Sequence, residues 1–246
     1  MSHLPSLASL CDATALVSAR NPAVLPASAS QFSWILEPAA PGGAVEPWEA
    51  IELPASLCHA VAKRQVEFRA GRFCAFQALH ALDPRRVVTT LPRTSSGAPL
   101  WPEGITGSIT HTTDFASAAV ARTSEVAALG IDTERIIPAD RARDVSPAIA
   151  WPYELAHARA AGFDRLEALT LVFSAKEAIF KCLHDSVGFF DFHDVRIVGV
   201  DARARTFTAR IVRTLSERFP ANTVLEGRFE IDVPWIHTGI ALAAEG

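Results

Sequence analysis

The chain lacks most of the features that announce common enzyme and membrane classes. Its four cysteines, at 11, 58, 74 and 182, form no CxxC pair. A redox or zinc signature of that kind is therefore excluded, and a chain of 246 residues needs no disulfide staples to hold a core. No stretch approaches the roughly 18–20 consecutive apolar residues of a membrane span. Met1-Ser2-His3-Leu4 opens without the basic start of a secretory signal. The expectation is a soluble cytoplasmic protein with no membrane partner. Net charge is −4, which argues against a general affinity for nucleic acid. A nucleophile elbow, a P-loop, a dinucleotide glycine fingerprint and a His-Glu zinc motif are all missing. Gly-Ile-Thr-Gly-Ser at 104–108 lacks the Walker lysine.

What is present is globular. Apolar residues make up 49% and charged residues 20%, outside the range of disordered chains. Charge is unevenly spread. Lys63, Arg64, Arg69, Arg72, Arg85, Arg86 and Arg93 share the interval 63–93 with only Glu67 and Asp83. Such a run is a solvated helix face or an anion site.

The first 30 residues are rich in Ser, Ala and Pro. Gln31–Leu36 reads as a strand, and 37–54, with four prolines and a Gly-Gly pair, as a loop. Helical spacing over Ser56–Leu82 is stopped by Asp83-Pro84. Ser108–His111 and Ala116–Ala121 are strand material, with Gly107–Thr110 forming a small hydroxyl-rich turn whose amides suit a phosphate. Val126–Asp132 is the clearest strand. A connection over 135–147 leads to a helical segment near 152–161, then a long helix over Leu166–His184 closed by Val187-Gly188. Strands follow at 195–200, 206–212, 225–231 and 236–243. Each half thus holds a long helix and several short strands, which predicts an α+β fold of two similar subdomains rather than a βαβ array. The predicted subdomains are 1–125, with the cationic region, and 126–246.

The most informative residues are acids. Asp132 and Glu134 close the apolar run Val126–Ile131; on a strand they share a side, roughly 6–7 Å apart. Like charges about 5 Å apart repel by roughly 3 kcal/mol at an effective dielectric near 20. Glu177 and Lys181 lie four apart in the later helix. By itself that pair is an exposed contact worth about 0.2–0.5 kcal/mol. If Glu177 converges on Asp132 and Glu134, the three carboxylates form a site for a divalent cation. His111 by itself reads as a satisfied core histidine, the commoner role for such a residue.

Four blocks in order resemble the 4'-phosphopantetheinyl transferases of the surfactin-synthetase and enterobactin-synthetase type. They are Lys63–Arg72, then Gly97–Pro102 leading into Gly107–His111, then Leu129–Glu134, and finally Phe173–Lys181. The Trp101-Pro102 before Ser108-Ile109-Thr110-His111 is similar to the enterobactin-synthetase branch. The resemblance implies two related α+β halves in a pseudo-two-fold arrangement, each a small antiparallel sheet on a long helix, with coenzyme A between them. It implies transfer of the phosphopantetheine arm to a serine of an apo acyl, peptidyl or aryl carrier protein, with release of adenosine 3',5'-bisphosphate. Magnesium is the implied cofactor, held by Asp132, Glu134 and Glu177. Arg64, Arg72, Thr110, His111, Lys176 and Lys181 are the implied coenzyme A contacts. Glu177 and Lys181 are the implied catalytic groups, as proton acceptor and as stabiliser of the leaving phosphate; a metal-bound Glu177 is a poorer base, so its two roles compete. Two positions depart from the family pattern. Ala98 stands where some relatives carry a lysine, so that one phosphate contact is either absent or supplied by Arg93, and Phe173 stands where many carry tryptophan. The expectation is a monomeric enzyme. The rival readings are a catalytically inactive coenzyme A or nucleotide-binding module, and a structural protein with accidental matches.

Overall fold

The computed structural model describes residues 20–36, 46–88, 90–94 and 97–244. The first 19 residues and positions 37–45 of the expected loop lie outside them. The chain divides into one unit centred on 27–127 and a second formed by Pro22–Pro26 and Ala128–Ala243. The fold is α+β, as expected, with an antiparallel sheet and a long helix in each unit. Among the described residues no helix is long and apolar enough to cross a membrane.

In the first unit β1 (Ser30–Ile35), β2 (Ile105–His111) and β3 (Phe115–Arg122) form a sheet of order β1-β3-β2. Both pairings are antiparallel, and His111 lies opposite Ala116. Helix α1 (Ala62–Leu82) packs on this sheet with every residue from Ala70 to Leu79 buried. Its small residues allow the close approach. A Cβ on Gly71 would sit 2.8 Å from the Ile109 side chain. The helix ends at Asp83, because the proline that follows disfavours helical backbone there.

Two boundaries in this unit differ from expectation. Helix α1 begins at Ala62 rather than Ser56, after a short 3₁₀ turn at Ala55–Leu57. The Gln65 amide donates to the carbonyls of Leu57, Cys58 and Ala60 at 3.0–3.2 Å, and those bonds hold the segment out of the helix. Strand β2 begins at Ile105, so Gly107–Thr110 is strand and not a phosphate-holding turn. Glycine at 107 serves close packing: a Cβ would lie 2.7 Å from the Trp101 ring.

The second unit contains the sheet β4-β8-β7-β6-β5. Its strands are β4 (Val126–Arg135), β5 (Val195–Asp201), β6 (Thr206–Ile211), β7 (Val224–Asp232) and β8 (Trp235–Ala243). Helices α2 (Ala139–Ile149) and α3 (Pro152–Ala160) precede the long α4 (Arg165–Val187). Helix α2 was expected to be a connection. Its Pro147 and its many charges mask a helical stripe of Ala142, Val145 and Ile149, which packs into the core. Helix α4 starts at a full capping box. Asp164 accepts from the amides of Leu166 and Glu167, while Glu167 accepts from the Asp164 amide at 2.9 Å. It stops at Gly188, whose φ of 74° favours glycine.

Candidate active site

Strand β4 and helix α4 come together because residue 130 has no side chain. A Cβ there would lie 2.7 Å from the Cys182 amide nitrogen and closer still to the Ala178 carbonyl oxygen. Two residues on from this contact, Asp132 is buried, and the Lys181 Nζ donates to its Oδ1 at 2.7 Å. Strand β4 continues to Arg135, so Asp132 and Glu134 lie inside the strand and not at its end. The intervening Thr133 turns the other way, into a hydrogen bond with His237 at 2.9 Å.

The charges of this group act on one another. Burial first, and then the negative charge of Asp132, push the Glu134 carboxyl up to about 8 in spite of the opposing Lys181. Burial also raises Glu177; Lys181 opposes that shift and Asp132 adds to it. Burial by itself would lower Lys181, but the charges of Asp132 and Glu177 and the bond to Asp132 hold it above the ordinary lysine value. Asp132, Glu134, Glu177 and Lys181 are therefore brought together. Lys181 serves Asp132 across the packing contact, not as half of an exposed helical ion pair.

Among the described residues no three His, Cys, Asp or Glu side chains form a metal cage by themselves. The donor set nevertheless suits magnesium. Asp132, Glu134 and Glu177 act on one another through charge, and burial first, with the charge of Asp132 adding to it, holds Glu134 and Glu177 up in pKa against the opposing Lys181. Magnesium is usually held by one or two carboxylates, with waters and substrate phosphates completing its octahedron, so a closed protein cage is not required.

Lys176 is elsewhere. Its side chain is 1% exposed and lies 2.9 Å from the Glu154 Oε1, and it also donates to the Ile149 carbonyl. Burial lowers its pKa, opposed by the charge of Glu154. The same Glu154 accepts from the amides of Trp151 and Ile197. Lys176, expected as a coenzyme A contact, is buried against Glu154 and ties α4 to α3 and β5.

The cationic residues lie in the first unit. Arg64, Arg72, Arg93 and His111 line one small cavity of about 150 Å³. The Arg64 Nη1 is 3.5 Å from the His111 Nε2, and both approach Glu67, at 3.6 and 3.9 Å. Arg72 is buried, and burial followed by the charge of Arg93 lowers its pKa to about 10. Thr110 is 2% exposed. Adjacent strand residues face opposite sides, so Thr110 and His111 do not present their side chains on one surface.

These two clusters coincide with two family models. The one described as the 4'-phosphopantetheinyl transferase N-terminal domain matches residues 53–121, and the one described as the 4'-phosphopantetheinyl transferase superfamily matches 128–231. The chain is 35% identical over 202 residues to 4'-phosphopantetheinyl transferase Svp of Streptomyces mobaraensis, covering 78% of each chain. The chain belongs to the 4'-phosphopantetheinyl transferase superfamily. Its similarity to 4'-phosphopantetheinyl transferase PptT of Mycobacterium tuberculosis is 32% over 197 residues, covering 76% of this chain and 82% of the relative. With enterobactin synthase component D of Salmonella typhimurium it is 33% over 162 residues, covering 62% and 66%.

Three residues around this transferase's charged groups escape the motif reading. Glu154 sits in a helix of ordinary composition, and nothing in the sequence pairs it with Lys176. Glu67 appears only as an acid in a basic run. Phe68 reads as a core position, yet its ring lies under both Arg72 and Arg93. An aromatic between arginines of a helix is the one signal that was available for it.

Proposed function

We propose that this transferase moves the 4'-phosphopantetheine arm of coenzyme A to a serine of an apo acyl, peptidyl or aryl carrier protein, releasing adenosine 3',5'-bisphosphate. The observation that carries the reading is the meeting of Asp132, Glu134, Glu177 and Lys181 at one partly buried point. Membership of the superfamily supports the reaction class.

Arg64, Arg72 and His111 donate to coenzyme A phosphates, with Thr110 behind them in β2. Guanidinium forks suit phosphate oxygens because each donates parallel hydrogen bonds. The carrier serine Oγ attacks the phosphorus nearest the pantetheine arm. A new P–O bond forms as the bond to the bridging oxygen breaks, and that electron pair leaves with the adenosine bisphosphate. Glu177 takes the serine proton; its burial makes it a stronger base than an exposed glutamate. Lys181 donates to the leaving phosphate. Asp132, Glu134 and Glu177 would hold magnesium, which would supply positive charge against the diphosphate; metal binding and proton uptake compete at Glu177.

Incubating labelled coenzyme A with apo carriers of fatty-acid, siderophore and polyketide type tests the reading. Label should reach a carrier serine, and Asp132→Ala and Glu177→Ala should each abolish transfer while circular dichroism stays unchanged. Full activity in either variant would overturn the mechanism. Siderophore-type carriers head the panel because several relatives are named enterobactin synthase component D. We assign the activity to a cytoplasmic monomer, expected to elute at its own 26.4 kDa; elution as a dimer would correct that.

A further inference from the structure

Two hydrogen-bonded ties sit behind the acidic cluster, and consecutive residues of β8 make them. On β4 the side chains of Asp132 and Glu134 face Lys181 of α4. A strand alternates its faces, so Thr133 between them points away. There its hydroxyl shares a 2.9 Å hydrogen bond with the His237 Nδ1, and both side chains are buried. Thr238, the next residue of β8, serves the other face. Its hydroxyl donates to the Ser174 carbonyl of α4 at 2.8 Å and lies 2.9 Å from the Ser174 hydroxyl, with both residues fully buried. Ser174 stands one helical turn before Ala178, the residue whose carbonyl is packed against Gly130.

The dipeptide His237-Thr238 therefore holds the acid-bearing strand from one face of the sheet and the acid-bearing helix from the other. Strand β8 lies beside β4 in the sheet, so both ties act on the elements that carry Asp132, Glu134, Glu177 and Lys181. The polar row behind β4 continues into β7, where Glu230, in register with His237, is buried and accepts from the Ala23 amide at 2.7 Å. Ile131 shares the far face of β4 with Thr133 and is apolar. Polarity thus changes at the position flanked by the two acids. An apolar side chain there would fill the space with no polar group to desolvate, but apolar contact has no preferred direction. A hydrogen bond weakens steeply as its angle bends, so it fixes the orientation of the backbone as well as its distance.

We propose that Thr133, His237 and Thr238 are positioning residues, which lock β4 and α4 so that Asp132, Glu134 and Glu177 stay in register for a divalent cation. They act through the strand and helix backbone and not on the reacting atoms. The inference rests on the transferase reading above, in which those acids hold magnesium, and adds which residues keep the acids together.

The test is calorimetric titration of magnesium into the full chain with coenzyme A present, well below the unfolding temperature. The proteins are the wild type, Thr133→Val, Thr133→Ser, Thr238→Val and Thr238→Ser, with transfer measured alongside. Valine removes each bond at nearly unchanged shape, and serine restores the hydroxyl. Groups that orient metal ligands typically change metal affinity by about tenfold to a hundredfold, so each valine variant should bind magnesium at least that much more weakly and lose kcat. Each serine variant regains its hydrogen bond and should recover to within about threefold of the wild type. Coenzyme A affinity in chelator should change by less than about twofold throughout, the scatter of independent sites, because the cationic residues belong to the first unit. Thr133→Ala and Thr238→Ala take the place of a valine variant that does not fold, with the same outcomes expected. A merely structural tie would lower the melting temperature and leave the magnesium dissociation constant where it was. That result, or serine variants as weak as the valine ones, would overturn the inference. A wild type that binds no magnesium would overturn the metal reading together with it, whereas a wild type that binds and transfers, with valine variants indistinguishable from it, would count against the positioning residues alone.

Discussion

Replacing Gly130 by alanine tests whether the packing of β4 on α4 builds the acidic cluster. The new methyl would stand 2.7 Å from the Cys182 amide nitrogen, 3.0 Å from the Cys182 Cβ, and nearer still to the Ala178 carbonyl. Two of these neighbours are helix backbone, which cannot rotate away as a side-chain tip can. Strand or helix must therefore shift by about 1 Å to reach ordinary contact distance. Overpacking of this kind costs roughly 1–3 kcal/mol, more where backbone must move. For a chain of this size each kcal/mol lowers Tm by about 2–4 °C, so a fall of roughly 5–10 °C is expected. The same shift separates Asp132 from Lys181, now 2.7 Å apart, and a misplacement of about 1 Å costs on the order of a hundredfold in rate. Gly162→Ala is the control. Gly162 has φ +103° with nothing within 4 Å of a Cβ, so it should lose about 1–3 kcal/mol through backbone strain and leave the rate of transfer untouched. The assays are thermal unfolding and kcat/KM with labelled coenzyme A. A Gly130→Ala protein of wild-type rate, or a Gly162→Ala protein equally slow, would refute the reasoning.

Lys176→Met should cost about 3–5 kcal/mol in denaturant unfolding, because Glu154 is left charged and buried. A stable variant with weakened coenzyme A binding would return Lys176 to the phosphate site. Glu134 supplies a pH test. Its folded pKa, about 8, lies above its ordinary 4.5, so the folded state binds the extra proton. In chelator-treated protein, stability should then fall, by on the order of a few kcal/mol, as pH rises from about 4.5 to about 8. Glu134→Gln should flatten that slope, and magnesium should recover stability at the upper end; an unchanged slope in the variant would remove Glu134 from the cluster. Coenzyme A with magnesium at 100 times its dissociation constant should stabilise the wild type by roughly 2.7 kcal/mol, and a melting temperature unmoved by that mixture would indicate that no such ligand binds.

The strands and long helices were legible because their signals are local. Apolar runs bounded by Gly, Pro and Asp announced β4, α4 and the stop at Asp83. Errors fell where one residue type has two uses. Gly107 reads as a turn residue but makes room for the Trp101 ring. The prolines and charges of 135–147 read as a connection, though Pro147 lies within α2. Among the site residues, Asp132, Glu134, Glu177 and Lys181 were found through spacing and resemblance, and the structure brings them together.

Lys176 and Arg93 mark the boundary between the two kinds of information. Composition and order along the chain were enough to determine the α+β class, the acid pair on one strand and the lysine helix, since periodicity and capping depend on near neighbours. Only the tertiary structure decided that Lys176 turns inward to Glu154 while Lys181, five residues on, meets Asp132. Only it decided that Arg93 lies over the same ring as Arg72. The physical reason is that burial and charge pairing depend on which groups from distant parts of the chain share a low-dielectric space. That is a property of packing, which no local run of residues encodes.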